Sequence, residues 1–333
     1  MSLGKIGETL AAREILDLVR DDLKRVEEEI ELESSGSVAA VGAISTHMYA
    51  AGGKRLRPTL LLLAARLVGD VTTEAIRLAA VMEMVHTATL IHDDVIDMAD
   101  KRRGRPSANA LWGNQVSVLA GDWLYMQAFQ IALRMRNFEI LDILHQLTQM
   151  MVEGELLQLE RIGKHDITEA DYMELVDRKT ATLFSTCTRL GALIGQASPE
   201  DITRMGEFGW NLGMAFQLTD DILDFTSREN ILGKPVGNDL QEGKVTLPLI
   251  YALADANRDD ARAVEIVMKD GNYQRVPFSR VLDILERHKG VDRARERAQT
   301  FSRRAREIMA SFPDTPYRRA MLTITDLVTD RDR

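Results

Sequence analysis

The sequence predicts an all-α protein folded as one large domain, and three observations carry that expectation. Apolar residues recur at three-to-four spacing through nearly every long segment, the pattern of helices with a buried face. The 333 residues include only 22 glycines and 8 prolines, and no stretch alternates apolar and polar residues long enough to make a strand. No Pro/Gly/Ser-rich linker, low-complexity tract or fixed-period repeat divides the chain. The expectation is therefore a single unit over 1–333, with 1–8 a disordered leader.

In chain order, "ILDLVRDDLKRVEEEIEL" reads as an amphipathic opening helix. "PTLLLLAARLVG" has Pro58 in its first turn and stops at Gly69, where a missing N–H and a missing side chain are each best tolerated. From about Thr73 to the aspartates, "EAIRLAAVMEMVHTATLIHDD" is apolar on more than one face, which predicts a central helix. Further helices are expected at "NQVSVLAGDWLYMQAFQIALRM", "EILDILHQLTQMMVEGELLQLERI", "ITEADYMELVDRKTATLFSTCTRLGALIG" and "PEDITRMGEFGWNLGMAFQLTDDILDF". "VTLPLIYALADA", "FSRVLDILERH" and "VDRARERAQTFSRRAREIMASF" complete the set. The loops are short with one exception: "TSRENILGKPVGNDLQEGK", 226–244, is long, polar and glycine-rich, and follows an acidic cluster, a setting in which loops carry function.

Composition narrows the function. With 45% hydrophobic and 28% charged residues there is ample material for a large core. A net charge of -9 argues against binding nucleic acid or an anionic membrane, both polyanions that need a basic face. The single cysteine, Cys187, allows no disulfide and no cysteine metal site within the chain, as suits a reducing cytosol. The N-terminal stretch has no basic segment leading into an apolar one, and the densest apolar run, "TLLLLAARLV", is short, contains Arg66 and lies close to Arg55 and Arg57. No stable membrane insertion is expected, and the chain reads as soluble and cytoplasmic.

Two acidic clusters carry the chemistry. "DDVID", with Asp93, Asp94 and Asp97, recurs as "DDILD", with Asp220, Asp221 and Asp224, each closing an apolar helix. Residues four apart share a helix face, so Asp93 and Asp97, and Asp220 and Asp224, present oxygens together. Like charges so placed repel, and a hard divalent cation between them removes the conflict. Oxygen-only ligands favour Mg2+ over zinc or copper. Solvated surface is the plain alternative. With 28 aspartates in the chain, however, DDxxD is expected by chance only about 0.2 times. A calcium loop is a poor fit, because the alternating acids, central glycine and terminal glutamate are missing. His92–Asp93 as the metal dyad of a phosphohydrolase would need further ligands from His47, His86, His145, His165 or His288, and no two of these stand at a ligand spacing. That hydrolase reading remains the alternative.

Basic groups accompany the acids. "GGKRLRP" sets Lys54, Arg55 and Arg57 between two glycines and Pro58, a loop-to-helix junction of the kind that grips phosphate. Arg102 and Arg103 follow the first acidic cluster, Lys179 and Thr180 lie within a helix, and Lys234 and Lys244 belong to the long loop. Acids for Mg2+ beside scattered cations suit a ligand with several phosphates.

In their order, "GGKRLRP", "HTATLIHDDVIDMADKRRGRPS", "DRKTA", "FQLTDDILDF" and "GKPVGNDLQEGKVTLPLI" resemble the trans-isoprenyl diphosphate synthases, most closely the long-chain polyprenyl members, the octaprenyl diphosphate synthases among them. Terpene cyclases usually replace the second aspartate triplet, and non-catalytic synthase subunits lose these acids; both triplets are intact here. The resemblance implies a helical bundle of the isoprenoid synthase type with a central apolar cavity, and a homodimer. It implies that Asp93, Asp94, Asp97, Asp220, Asp221 and Asp224 bind Mg2+ ions that hold an allylic diphosphate, geranyl or farnesyl, steadied by Arg102, Lys179, Lys234 and Lys244. Lys54, Arg57, His86 and Arg103 match positions that bind isopentenyl diphosphate, Phe216 would pack on its alkene, and Thr180 and Gln217 match groups near the reacting carbons. Glu155 and Gln158 stand where farnesyl synthases commonly have a Gln and an Asp, and no role is assigned to them.

The chemistry agrees with these residues. Breaking an allylic C–O bond leaves a carbocation and a highly charged diphosphate, so the catalyst must neutralise a leaving group rather than supply a nucleophile. A lid over the site would exclude water, and 226–244 is the expected lid. The product grows into an apolar channel walled by the helix before Asp93. Ala88 and Thr89, small where several short-product enzymes are aromatic, imply an open tunnel. From Thr73 to Asp93 the helix offers about 30 Å, room for about six or seven isoprene units. Met82, Met84, Tyr125, Met126, Phe129, Met150 and Met151 are candidates for its floor. The expected activity is thus long-chain trans-polyprenyl diphosphate synthesis. A short-chain synthase and a helical protein with no catalytic role stand as further alternatives.

Overall fold

The computed structural model describes residues 10–34, 38–50, 52, 55–227 and 236–329. The leader expected at 1–8, together with Lys54 and Lys234, lies outside them. The helices are α1 Leu10–Asp17, α2 Arg20–Ser34, α3 Ala39–Ala50, α4 Leu56–Val68 and α5 Thr73–Ile96. A two-stranded hairpin, β1 Lys101–Arg102 and β2 Arg105–Pro106, leads to α6 Ala108–Trp112, α7 Asn114–Arg134, α8 Phe138–Arg161 and α9 Glu169–Val176. A π-helical turn, Asp177–Ala181, joins α9 to α10 Thr182–Ile194, and α11 Pro199–Thr226 follows. The remainder is α12 Asn238–Gln241, α13 Leu247–Ala254, α14 Arg258–Asp270, α15 Phe278–Arg287, α16 Gly290–Ala310 and α17 Pro316–Thr329.

The core follows from the apolar pattern. In α4 every residue from Pro58 to Ala65 is buried, and α5 is buried on almost every face from Ala75 to Ala88, so both run through the middle of the bundle. The heaviest packing joins α10 to α11, α11 to α16, α5 to α7, and α4 to α10. Their buried apolar side chains form one contiguous cluster. Among the described residues no helix is long and apolar enough to cross a membrane.

The structure departs from the sequence reading in adding helices α3, α14 and α17, where none was expected, and in three local features. The opening helix divides at Leu18 and Val19, where short bonds to Ile15 and Leu16 turn the chain so that Ile15 and Val19 both enter the core. The helix containing "DRKTA" is not uniformly α, since its five residues form the π turn. "KRRGRP" makes a hairpin too short for alternation to reveal.

Candidate active site

The two DDxxD motifs end α5 and α11, and their partners differ. At the end of α5, Asp94 is buried and held by Arg102, whose Nε donates to both carboxylate oxygens, at 2.8 and 3.0 Å, with a terminal guanidinium nitrogen 2.7 Å from Oδ1. The hairpin makes this grip possible. Arg103 and Gly104 form its turn with φ of 52° and 77°, the left-handed pair a two-residue hairpin requires. Arg102 is thereby folded back onto Asp94, while Arg103 donates to the carbonyl of Gly52. Asp93 borders the large cavity described below. Burial raises its carboxyl to about 6; Lys179 opposes that shift, and Glu155 and Asp97 add to it. Asp97 is exposed and lies 3.4 Å from the Nζ of Lys244.

At the end of α11, Asp221 is met by neutral groups. The Tyr172 hydroxyl donates to Oδ2 of buried Asp221 at 2.6 Å, and the Gln217 amide donates to Oδ1 at 2.8 Å. The Gln217 carbonyl accepts from Thr180 at 3.0 Å, so a hydrogen-bonded line runs Thr180, Gln217, Asp221, Tyr172. Burial, then the charge of Asp239, holds the Asp221 carboxyl well above the usual range, and the two hydrogen bonds offset only part of that. Burial, then Asp221, likewise keeps the Tyr172 phenol protonated. Asp224 is fully buried, with Oδ2 accepting the N–H of Asp239 at 3.2 Å; Asp220 is half-buried.

Lys179 and Thr180 stand between the two acidic ends, on the π turn, a local widening often found where side chains must reach a ligand. A β-carbon on Gly154 of α8 would come within 3.0 Å of the Arg178 Cβ and 3.1 Å of the Lys179 nitrogen, so glycine lets α8 lie directly on this turn. The contact brings Glu155 to 2.5 Å from the Nζ of Lys179, which also donates to Gln158 at 3.2 Å. These two residues, unassigned from the sequence, are the socket of Lys179.

A second group of cations borders the same space. The Arg57 guanidinium lies 5.6 Å over the Phe184 ring, which packs 5.1 Å from Phe216. His86 is held neutral, its pKa well below the ordinary value, by burial and then by Arg57, Arg102 and Arg103. Arg55 turns away, pairing with buried Glu83 at 2.8 Å and with Glu27 at 3.3 Å. His92 does not join Asp93 as a metal dyad: its Nε2 meets the Val118 carbonyl at 3.0 Å, and its ring stacks on Tyr125 at 5.9 Å.

From this charged mouth a cavity of about 920 Å³ runs between α5, α7 and α8, with Thr89, Leu90, Tyr125, Phe129 and Met151 among its walls. A smaller one of about 220 Å³, on the other side of Lys179 and Thr180, reaches Asp221, Asp239 and Lys244. Thr89 faces the large cavity, whereas Ala88 is fully buried in the core and is not among its lining. The wall expected all along α5 is shorter: α5 contributes only from His86 to Ile96, because its upper turns are packed on every side, and the space continues along α7 and α8. Met126 also lines it, while Met82 and Met84 are core.

The family model described as polyprenyl synthetase matches residues 38–284. The octaprenyl diphosphate synthase of Haemophilus influenzae is 35% identical over 325 residues, 98% of each chain. A crystal structure of a decaprenyl diphosphate synthase from Rhodobacter capsulatus superposes with a TM-score of 0.92 at 36% identity, covering 97% of this chain and 99% of that one. A polyprenyl synthase from Caulobacter crescentus, solved with calcium and isoprenyl diphosphate, has a TM-score of 0.91 at 34% identity over 97% and 98% of the two chains.

Proposed function

This chain belongs to the polyprenyl synthetase family and is a prenyltransferase, and from that premise we propose that it makes long-chain trans-polyprenyl diphosphates by adding isopentenyl diphosphate to a geranyl or farnesyl primer. One observation carries the reading: a single cavity of about 920 Å³ has carboxylates and cations at its mouth and apolar walls behind them. A phosphohydrolase has no use for such depth.

Magnesium fits the donor set. Asp93, Asp94, Asp97, Asp220, Asp221 and Asp224 offer oxygen alone, as a hard divalent cation prefers. Asp93 and Asp221 have the raised pKa of buried carboxylates short of positive charge. Mg2+ is commonly held by one or two carboxylates together with substrate phosphates. Bound there, it supplies charge neutralisation for the leaving diphosphate.

The chain's own residues bind, orient and shield. Arg102, Lys179, Lys234 and Lys244 hold the allylic diphosphate as its C–O bond breaks, the electron pair leaving with the oxygen. Lys54, Arg57, Arg103 and neutral His86 hold the second diphosphate, and Phe216, backed by Phe184 and Arg57, sets its alkene toward the allylic carbon. Attack forms the new C–C bond and moves the positive charge to a tertiary carbon; loss of a proton to the departed diphosphate restores an alkene. Thr180 and Gln217 flank the reacting carbons, and the apolar walls exclude water that would trap the cation as an alcohol.

Each added unit buries five carbons, worth about 4 kcal/mol, so the growing chain stays bound. Along α8 the lining extends from His145 to Leu159, about 21 Å, or about four to five units. Longer products continue over a face already apolar. Leu119, Met126 and Leu133 on α7, and Phe138, Val152 and Leu159 on α8, are exposed at heptad spacing. A second copy of this chain covers that face in a homodimer and closes the outer wall. The single cysteine suits a cytoplasmic setting.

Incubation with farnesyl diphosphate, Mg2+ and labelled isopentenyl diphosphate tests the proposal. Prenyl chains well beyond 20 carbons are expected on chromatography after dephosphorylation. Phosphate release alone would mark a hydrolase, products of 20 carbons or fewer a short-chain synthase, and no reaction a structural protein. Light scattering should give the mass of a dimer.

A further inference from the structure

The segment from Val236 to Lys244 crosses between the two acidic ends. Its first hook is the Gly237 N–H, donating to the backbone carbonyl of Asp224 at 2.8 Å; the second is the Asp239 N–H on the Asp224 carboxylate at 3.2 Å. Lys244 N–H then donates to the Asp239 carbonyl at 2.8 Å, and its Nζ lies 3.4 Å from Asp97. One short stretch thus sets a carboxylate beside Asp221 and a cation beside Asp97.

Tyr273 and Phe278, outside the five motifs that carry the family resemblance, fix this path through Gly237, which lies within the last of them. Gly237 has φ +67°, a conformation that favours glycine. Its carbonyl accepts the Tyr273 hydroxyl at 2.7 Å, and a β-carbon on it would lie 2.4 Å from both the Tyr273 oxygen and the Phe278 ring. Phe278 stacks on Phe225, next to Asp224, with ring centroids 6.5 Å apart, and meets the Tyr273 ring edge-on at 5.1 Å. Tyr273 and Phe278, from the connection after α14 and the start of α15, therefore grip both the end of α11 and the turn that leaves it. Burial, then the charges of Asp224 and Asp239, raise the Tyr273 phenol pKa, so the hydroxyl stays a donor.

We propose that Tyr273 is a positioning residue for the diphosphate end of the active site: through the Gly237 carbonyl it fixes where Asp239 and Lys244 stand opposite Asp221 and Asp97. The inference rests on the prenyltransferase reading and extends it to a side chain that touches neither substrate.

Tyr273→Phe keeps the ring and removes one hydrogen bond, a loss worth roughly three- to tenfold in an equilibrium constant. On the full chain, calorimetric titration with inorganic diphosphate in Mg2+ should weaken by that factor. The allylic KM and the Mg2+ concentration for half-maximal rate should rise alike, while the KM for isopentenyl diphosphate, gripped near Arg57 and His86, should not move. Gly237→Ala, which keeps the Tyr273 hydroxyl but crowds it and disturbs the same carbonyl, should show the same selective pattern more strongly. Diphosphate affinity equal to the parent's in both variants, or equal rises in both KM values, overturns the proposal. A parent that binds diphosphate with Mg2+ yet forms no prenyl product instead counts against the prenyltransferase reading.

Discussion

The same five-residue pattern closes α5 and α11, yet the two ends solve opposite electrostatic problems. At the α5 end, Asp94 is matched by a guanidinium from a hairpin three residues beyond the motif. At the α11 end, Asp221 is met by a phenol and an amide, and after burial it is the charge of Asp239, of its own sign, that does most to raise its carboxyl. Identical motifs thus give one buried carboxylate paired with a guanidinium and one hydrogen-bonded by neutral groups, with its pKa raised. The contrast lies between Asp94 and Asp221, which hold the same place in the two motifs; Asp93, on the α5 end, has a raised carboxyl of its own.

The widest gap should open between activity and stability. Asp94→Asn and Asp221→Asn are each expected to lower kcat by roughly 10²–10³-fold, the usual cost of removing one charge-stabilising group. Their melting temperatures should part company. Asp94→Asn strips half-buried Arg102 of its partner and should lower the Tm by several degrees. Asp221→Asn removes a buried charge while Gln217 can turn its amide to keep Thr180 and the new side chain satisfied, so Tm should hold or rise. Scanning calorimetry in chelator decides; equal losses would erase the contrast.

Lys179 joins the ends and is held by Glu155 and Gln158. Glu155→Gln should free it to bind diphosphate while weakening its placement, changing the allylic KM by about tenfold with little change for isopentenyl diphosphate. Equal changes in both would show that the socket serves the fold alone.

The cavity above the α5 end offers a test of what limits product length. Thr89→Phe should fill the cavity one turn above Asp93 and shorten the product, whereas Ala88→Phe, at a core position, should chiefly lower the Tm. An unchanged chain length from Thr89→Phe would place the limit elsewhere, with Phe129 or Met126 the next positions to alter.

The smallest effect is on pH dependence. Because the Asp93 carboxyl is raised from 3.8 to about 6 in the fold, the stability it contributes is complete below pH 3.8 and is lost as pH rises through about 6. In chelator, the Tm should therefore gain about 2 °C from this group between pH 7 and 5, and Asp93→Asn should remove that gain. Parallel curves for the two proteins would contradict the assignment of the shift to Asp93.

Much of the site was legible because its motifs are local. DDxxD places oxygens on one helix face whatever surrounds it, and "DRKTA" sets Lys179 beside Thr180 in any helix. Other parts were not legible. Tyr172 is one tyrosine on an amphipathic helix, with no sign that it meets Asp221, 49 residues away. Tyr273 and Phe278 lie far from the acids in sequence, in a stretch that reads as a plain turn and helix start. Ala88 and Thr89 are adjacent and both small; only the rotation of α5 within its neighbours sends one into the core and the other to the cavity.

By itself the sequence determined most of the long helices, the central place of α4 and α5, and the residue types of the chemistry, because periodicity and capping act over a few residues. Tertiary structure alone decided which carboxylate meets a guanidinium and which meets a phenol and an amide, how far the cavity runs along α5, and which side chains steady Lys179 and Gly237. Those outcomes depend on groups tens of residues apart meeting at hydrogen-bond distance, and on burial, which multiplies the cost of each unmatched charge.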